Sequence, residues 1–224
     1  MNYRLKKIVK ELSPPILLTA VKALASRTRR GGAPPGERGP AWYDRSFSRI
    51  IEGHKHYTEA GHHFLWSVLA DRLARDGVRS VLDIGCGSGQ LALLLRDQGI
   101  PRYCGIDFSE ERLRWARKTC PGFSFVTADA FQTDLLAKVP YDAVVCAEFL
   151  NHVQEDLDLV RRIRKGARFY GIVANSPFAS HVRVFRSADE VRARYSDLFE
   201  DFRVSQFMAD RTGKAYFVFE GVRR

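Results

Sequence analysis

The sequence predicts an α/β fold: a mostly parallel sheet of seven strands, helices on both faces, and a C-terminal antiparallel hairpin. Three observations predict it. From residue 80 onward, short apolar runs that read as strands alternate with stretches of helical spacing. The first of these runs enters a glycine-rich bend, Gly85-Cys86-Gly87-Ser88-Gly89, and an apolar helix follows. The last two runs flank a short turn, Asp210-Arg211-Thr212-Gly213, as strands of a hairpin do.

The elements follow in order. Ala41–Glu52 reads as a short helix rich in aromatic residues. Thr58–Arg75 reads as a longer one, with Phe64, Leu65, Val68, Leu69 and Leu73 at core spacing. Strand Ser80–Ile84 then leads to helix Gln90–Gln98, strand Arg102–Asp107 to helix Glu110–Cys120, and Ser124–Ala128 is a third strand. Strand Tyr141–Ala147 precedes helix Gln154–Lys165, and strand Arg168–Ala174 precedes helix Ala188–Asp197. Phe202–Met208 and Ala215–Gly221 form the hairpin. Such alternation implies parallel strands joined by helical crossovers. Ligands of such sheets bind at the carboxyl ends of the strands, near the switch point of the topology.

Composition limits the function. The 224 residues are 45% hydrophobic and 28% charged, which suits one core of ordinary size and excludes a wholly disordered chain. No apolar run approaches the roughly 20 residues of a membrane-spanning helix. Cys86, Cys104, Cys120 and Cys146 form no metal-type pair and no disulfide framework, so a reducing, cytoplasmic compartment is the simplest expectation.

Charge divides the chain. Residues 1–40 hold nine basic and two acidic residues, so +7 of the net +10 lies there and the remainder is nearly balanced. The organisation read from this is a basic amphipathic leader over 1–26, a Gly/Pro/Arg linker over 27–40, a helical lid over 41–76 and a core over 77–224. The leader has three competing readings: a helix pair docked on its own body or on a second copy, a peripheral anchor for an anionic inner-membrane surface through residues 1–30, and a secretory signal. Glu11, the Pro14-Pro15 pair and Lys22 argue against the last.

The chemistry sits at successive strand ends. The bend places Gly85, Gly87 and Gly89 where a ligand can lie against bare backbone and the start of the next helix. Dinucleotide folds show GxGxxG; here the spacing is GxGxG, with Asp83 two residues before the first glycine. A carboxylate there suits an ammonium group rather than a phosphate. Asp107, at the next strand tip and followed by Phe108, lies about twenty residues past the bend, where an acid can accept both ribose hydroxyls. Asp129, with Ala130 and Phe131, ends the third strand, where an acid and an apolar neighbour suit an adenine. Each acid also has a plainer reading as a cap or turn residue.

This ordered set closely resembles the class I S-adenosylmethionine-dependent methyltransferases, from about Leu65 to the C-terminus. The resemblance implies their Rossmann-like fold and S-adenosylmethionine as cofactor. It assigns the methionine part to Asp83, Gly85, Cys86, Gly87 and Gly89, the ribose to Asp107 with Phe108, and the adenine to Asp129, Ala130 and Phe131. Glu148, after the fourth strand, is placed with the cofactor set. It also implies that the segment from Trp42 to His63 closes over cofactor and substrate.

Methyl transfer needs an aligned nucleophile, and a base when the nucleophile carries a proton. His152, just after the fourth strand, is the first choice for that base, and His181 the second; each could instead orient its own helix or loop. His54, His56, His62 and His63 cluster in the lid, but no metal-ligand spacing accompanies them, so no metal is expected. Arg183 and Arg186 could grip an anionic group of the substrate. The fourth strand lacks the Asn/Asp-Pro-Pro-aromatic signature of enzymes that methylate base or amide nitrogens. Cys146 has no preceding proline and reads as a buried strand residue.

The expected activity is transfer of a methyl group to a small or medium-sized acceptor, most simply a hydroxyl. The leader and the stretches 42–66 and 175–195 resemble methyltransferases of surface-polysaccharide synthesis, which implies a saccharide acceptor. An N-methyltransferase and a non-catalytic scaffold that keeps the cofactor pocket are the alternatives. The glycine spacing contradicts a dehydrogenase, and the near-neutral body disfavours nucleic acid.

Overall fold

The computed structural model describes residues 36–47, 51–209 and 213–224. The leader, most of the linker and part of the expected turn at 210–213 lie outside the described residues. No described helix is long and apolar enough to cross a membrane.

Helix α1 spans Pro40–Phe47 and α2 spans His63–Arg75. The alternation follows as β1 (Ser80–Ile84), α3 (Gln90–Asp97), β2 (Arg102–Asp107), α4 (Glu110–Thr119) and β3 (Ser124–Thr127). Next come α5 (Leu135–Lys138), β4 (Ala143–Ala147), α6 (Asp156–Arg161), β5 (Arg168–Ala174), α7 (Ala188–Tyr195), β6 (Phe199–Met208) and β7 (Ala215–Arg223). Among the described residues one seven-stranded sheet has the order β3-β2-β1-β4-β5-β7-β6. The first five strands are parallel, and β7 pairs antiparallel with both β5 and β6.

Both faces of the sheet are covered. Successive strand residues point to opposite faces, so Val81 and Val145 join one core with Leu65, Leu69 and Leu95, whereas Leu82 and Val144 join another with Leu159, Tyr195 and Phe219. This burial explains why the strands read as near-continuous apolar runs. The chain order reverses between β1 and β4, which opens a crevice at their carboxyl ends.

Several boundaries differ from expectation. The second helix begins at His63, because Tyr57–Glu59 forms a separate 3₁₀ turn and Ala60 is extended. Phe64 is not a core residue: it is 41% exposed, and its ring meets Phe207 edge-on. The short α5 was not anticipated. The helix expected at Gln154–Lys165 shrinks to α6, preceded by a 3₁₀ turn at Leu150–His152. Strand β6 starts at Phe199 rather than Phe202. Cys146 is fully buried in β4, as its sequence context suggested.

Candidate active site

The crevice at the β1–β4 switch point holds two cavities, of about 320 and 350 Å³. Tyr43, Gly85, Arg112, Glu148 and His152 line both and form the junction between them.

The glycine bend supplies the floor. Gly85, Gly87 and Gly89 have φ of 78°, 56° and 80°, the left-handed region that costs other residues. At Gly85 a Cβ would also collide with the Phe149 ring, and at Gly89 it would lie 2.9 Å from the Ala116 Cα. Glycine therefore lets α3 approach α4 and leaves the bend bare. Cys86 turns inward and packs against Gly105 of β2.

Asp83 lies at the base of the second cavity and is 1% exposed. Its Oδ2 accepts a hydrogen bond from the Tyr103 hydroxyl at 2.5 Å, while its Oδ1 has no partner. Burial pushes its pKa up to about 7. An orphaned, buried carboxylate oxygen beside a bare backbone bend is a site made for a donor the protein lacks.

Asp107 and Asp129 line the first cavity with Phe108, Ala130 and Phe131. Asp107 accepts from the Gly87 and Ser109 amides at 3.0 and 2.9 Å, so it also fixes the bend. Burial raises its pKa, against the pull of Arg112 and these amides. Asp129 accepts from the Phe131 amide and the Gln132 side chain, each at 2.8 Å. The turn-shaping and ligand-accepting readings are compatible, because each carboxylate oxygen keeps a second lone pair.

Glu148 sits at the junction with φ 58°, an uncommon conformation for a residue with a side chain. Its carboxylate lies 3.0 Å from His62 Nε2, which also lies 3.0 Å from the Tyr216 hydroxyl. Burial raises the Glu148 pKa, opposed by His62 and Lys214. His62 is thus the lid histidine that reaches the site. His54 instead stacks on Trp115, His56 bonds Thr58, and His63 packs near Tyr57. Among the described residues no group of His, Cys, Asp and Glu could hold a metal ion.

His152 and His181 are brought together, their ring centroids 4.6 Å apart. The fully buried Asn151 does this. Its backbone carbonyl accepts from the Val182 amide at 2.9 Å, and its side chain bridges Ala174 and Arg183. His152 Nδ1 is 3.1 Å from the Ser180 carbonyl and 3.1 Å from the Tyr43 hydroxyl. A carbonyl only accepts, so Nδ1 carries the proton. Burial, and next the neighbouring His181, push the His152 pKa down to about 4. His181 Nδ1 is likewise 3.0 Å from the Ser176 carbonyl, and burial lowers its pKa.

The arginines expected to grip an anion are occupied otherwise. Arg183 pairs with the fully buried Asp156 at 3.0 Å and donates to the Leu150, Val153 and Gln154 carbonyls. Its role is to tie β5's exit loop to the turn after β4. Arg186 is exposed and lines neither cavity. Conversely, Arg112 escaped the sequence reading. Its guanidinium lies 4.8 Å from the Tyr43 ring centroid, and its buried Nε has no partner. Glu37 to Pro40, read as linker, line the first cavity, with Glu37 accepting from the Gln154 amide at 3.0 Å.

The chain is similar to known methyltransferases. Residues 81–169 match the family model described as a methyltransferase domain. A ubiquinone biosynthesis O-methyltransferase of Aliivibrio fischeri is 32% identical over 111 residues, 48% of this chain and 47% of that protein. A trans-aconitate 2-methyltransferase of an Enterobacter species is 42% identical over 65 residues, 29% of this chain and 26% of that protein. The chain spans about half the length, or less, of the curated relatives it matches. Among solved structures, the 1,6-didemethyltoxoflavin-N1-methyltransferase of Burkholderia thailandensis, bound to S-adenosylhomocysteine, superposes with a TM-score of 0.61 at 20% identity, covering 86% of this chain and 93% of that one. The N-methyltransferase NodS of Bradyrhizobium japonicum gives 0.58 at 17%, covering 72% and 87%. These two likenesses establish the fold.

Proposed function

We propose that this chain, whose residues 81–169 match a methyltransferase-domain model, uses S-adenosylmethionine to methylate a hydroxyl of a small molecule. The observation that carries the proposal is the pair of cavities joined at His152 and Glu148, one edged by Asp107 and Asp129 and the other based on Asp83.

Asp83 Oδ1 accepts from the cofactor's ammonium group, and Arg112 is the cation available to its carboxylate. The bend from Gly85 to Gly89, with Cys86 turned inward, leaves room for the methionine chain. Asp107 takes the ribose hydroxyls beside Phe108, and Asp129 takes the adenine beside Ala130 and Phe131. When bound, the cofactor supplies a methyl group on a sulfonium: its S–C bond breaks as the O–C bond forms, and the electron pair stays on sulfur. His152, whose Nδ1 lies 3.1 Å from the Ser180 carbonyl, lines both cavities and is the imidazole at their junction. Kept neutral by burial, it takes the hydroxyl proton. Glu148, held by His62, borders the reacting centre. The aromatic side chains Trp42, Trp66, Phe178 and Tyr216 wall the second cavity, where a ring-shaped acceptor such as a saccharide can stack.

Titration calorimetry with S-adenosylhomocysteine tests the cofactor assignment. Losing charge-assisted bonds to two ribose hydroxyls should weaken binding roughly 100-fold or more in Asp107→Ala. Asp107→Asn, which keeps one acceptor oxygen and with it one of the two amide bonds to the bend, should weaken binding less. Unchanged affinity in both variants, with circular dichroism like that of the parent, would remove the ribose assignment.

A further inference from the structure

Asp83 does not stand alone at the base of the second cavity. Its neighbour across the sheet is Tyr103 of β2, a residue that is 5% exposed and whose hydroxyl donates to Asp83 Oδ2 at 2.5 Å. The register explains how the two meet. Asp83 lies opposite Gly105, and Tyr103 stands two residues before Gly105, on the same face of the sheet. A Cβ at Gly105 would lie 3.0 Å from Tyr103 Cε1 and 2.6 Å from Cys86 Sγ. Gly105 therefore leaves the room that the Tyr103 ring and Cys86 occupy. The ring has its own support: it stacks on Phe123 at 5.0 Å between centroids and leans on Phe125 at 5.8 Å.

The pair treats the two oxygens of Asp83 differently. Oδ2 holds the Tyr103 hydroxyl, whereas Oδ1 is buried and has no partner among the described residues. Burial, and next the charge of Asp83, keep the Tyr103 proton on its oxygen far above the usual tyrosine range, so the hydroxyl remains a donor. Burial favours the neutral form of Asp83, the Tyr103 hydroxyl favours the charged form, and Asp107 favours the neutral form again. The thiols of Cys86, in the bend, and Cys146, in β4, also act on Asp83, but burial keeps both protonated through the neutral range. The Tyr103 hydroxyl is what works against burial there.

We propose that Tyr103 is a positioning residue of the cofactor site, acting through Asp83: its hydroxyl occupies Oδ2 and leaves Oδ1 to the cofactor's ammonium group. The inference rests on the reading of Asp83 as the acceptor for that group, and adds the residue that prepares it. A hydroxyl that only satisfied its own burial would have no influence on ligand binding.

The test uses the full chain, S-adenosylhomocysteine and Tyr103→Phe, which keeps the stacked ring and removes the hydroxyl. In the free chain the Asp83 carboxyl carbon, identified by its loss in Asp83→Asn, should titrate with a midpoint of about 7 in the parent. In Tyr103→Phe the midpoint should lie about one pH unit higher, the worth of one hydrogen bond to a charged group. Calorimetry should then find S-adenosylhomocysteine bound about tenfold more weakly by the variant at pH 6, the gap closing to about twofold or less at pH 8.5. His62, Arg112, Glu148, His152, His181 and Lys214 line the same cavity. They are common to parent and variant, so the effect is read as the ratio of affinities at each pH. With Asp83→Asn already in place, Tyr103→Phe should change the affinity by less than about twofold. Saturating the parent with S-adenosylhomocysteine should carry the Asp83 midpoint below pH 6, a measurement that needs no variant. The proposal is overturned by a midpoint that Tyr103→Phe leaves in place, by a loss of affinity equal at pH 6 and pH 8.5, or by the same loss without the Asp83 carboxylate. A parent that binds no S-adenosylhomocysteine, or binds it with the Asp83 midpoint unmoved, refutes instead the reading of Asp83 on which the proposal rests.

Discussion

The proposed donor side and the proposed acceptor side of this crevice are built in different ways. On the donor side, contacts join consecutive strands: Tyr103 to Asp83 and Gly87 to Asp107 are each separated by 20 residues. Parallel register holds these groups, with Asp83 opposite Gly105 and Ile84 opposite Ile106. On the acceptor side, Tyr43 meets His152 across 109 residues and His62 meets Tyr216 across 154. One side is a property of the sheet. The other is assembled from the lid, the loop after β5 and the closing hairpin. The acceptor site can therefore vary in sequence without disturbing the cofactor site, the general way in which one fold serves many substrates.

If that division holds, the two sides should fail separately. The largest effect is expected at His152. Replacing it with Ala removes the base and should lower kcat by roughly 10²–10⁴-fold. The affinity for S-adenosylhomocysteine should change by less than about threefold, since the donor contacts lie on other residues. A calorimetric loss of cofactor affinity as large as the kinetic loss would show that the sides are coupled through the junction.

The same division explains what could be read in advance. The glycine bend and the strand-end placement of the three acids were legible because a parallel sheet repeats its geometry every strand–helix unit. All three acids do edge or floor the cavities. Arg112 was not legible, because its use depends on α1 folding back to place Tyr43 under its guanidinium. Arg183 was misread for the same reason. Proximity to the site in sequence suggested an anion grip, but Asp156 is fully buried and needs a cation. The start of α2 was misplaced because apolar spacing continues through the turn at Tyr57–Glu59. Phe64 was misassigned because periodicity gives a face and not its depth: it keeps the apolar spacing and is still 41% exposed.

A smaller effect sharpens the comparison through pH. Burial raises the Asp83 pKa from 3.8 to about 7. Between those values the folded chain holds a proton that the unfolded chain has released, so this group's contribution to stability falls as pH rises through that window. An ammonium ligand prefers the ionised carboxylate, so below pH 7 binding must expel the proton. Cofactor affinity should therefore increase about tenfold from pH 6 to pH 8 and then level off. Calorimetry in buffers of different ionisation enthalpy should register the released proton near pH 6.5. Asp83→Asn should bind more weakly and lose this dependence. A flat affinity profile in the parent would mean that Asp83 does not meet a cation.

The smallest effect tests whether Arg183 belongs to the scaffold or to the acceptor site. Asp156 is 0% exposed and is met by Arg183 at 3.0 Å, by Arg194 at 2.5 Å and by the Tyr195 hydroxyl at 2.6 Å. Removing one partner of a buried ion pair costs about 3–5 kcal/mol when the other charge is left alone. Here two partners remain, and the three carbonyls that Arg183 serves lie in partly solvated turns. Arg183→Met, which keeps the apolar stem, should therefore cost about 2 kcal/mol. For a chain of this size that is a melting temperature lower by roughly 4–8 °C, readable by scanning calorimetry. KM for any acceptor should stay within about twofold, measured well below the new melting temperature. A large rise in KM with an unchanged melting temperature would return Arg183 to the substrate. The acceptor side would then hold a cation beside its two histidines, and an anionic acceptor would fit that wall.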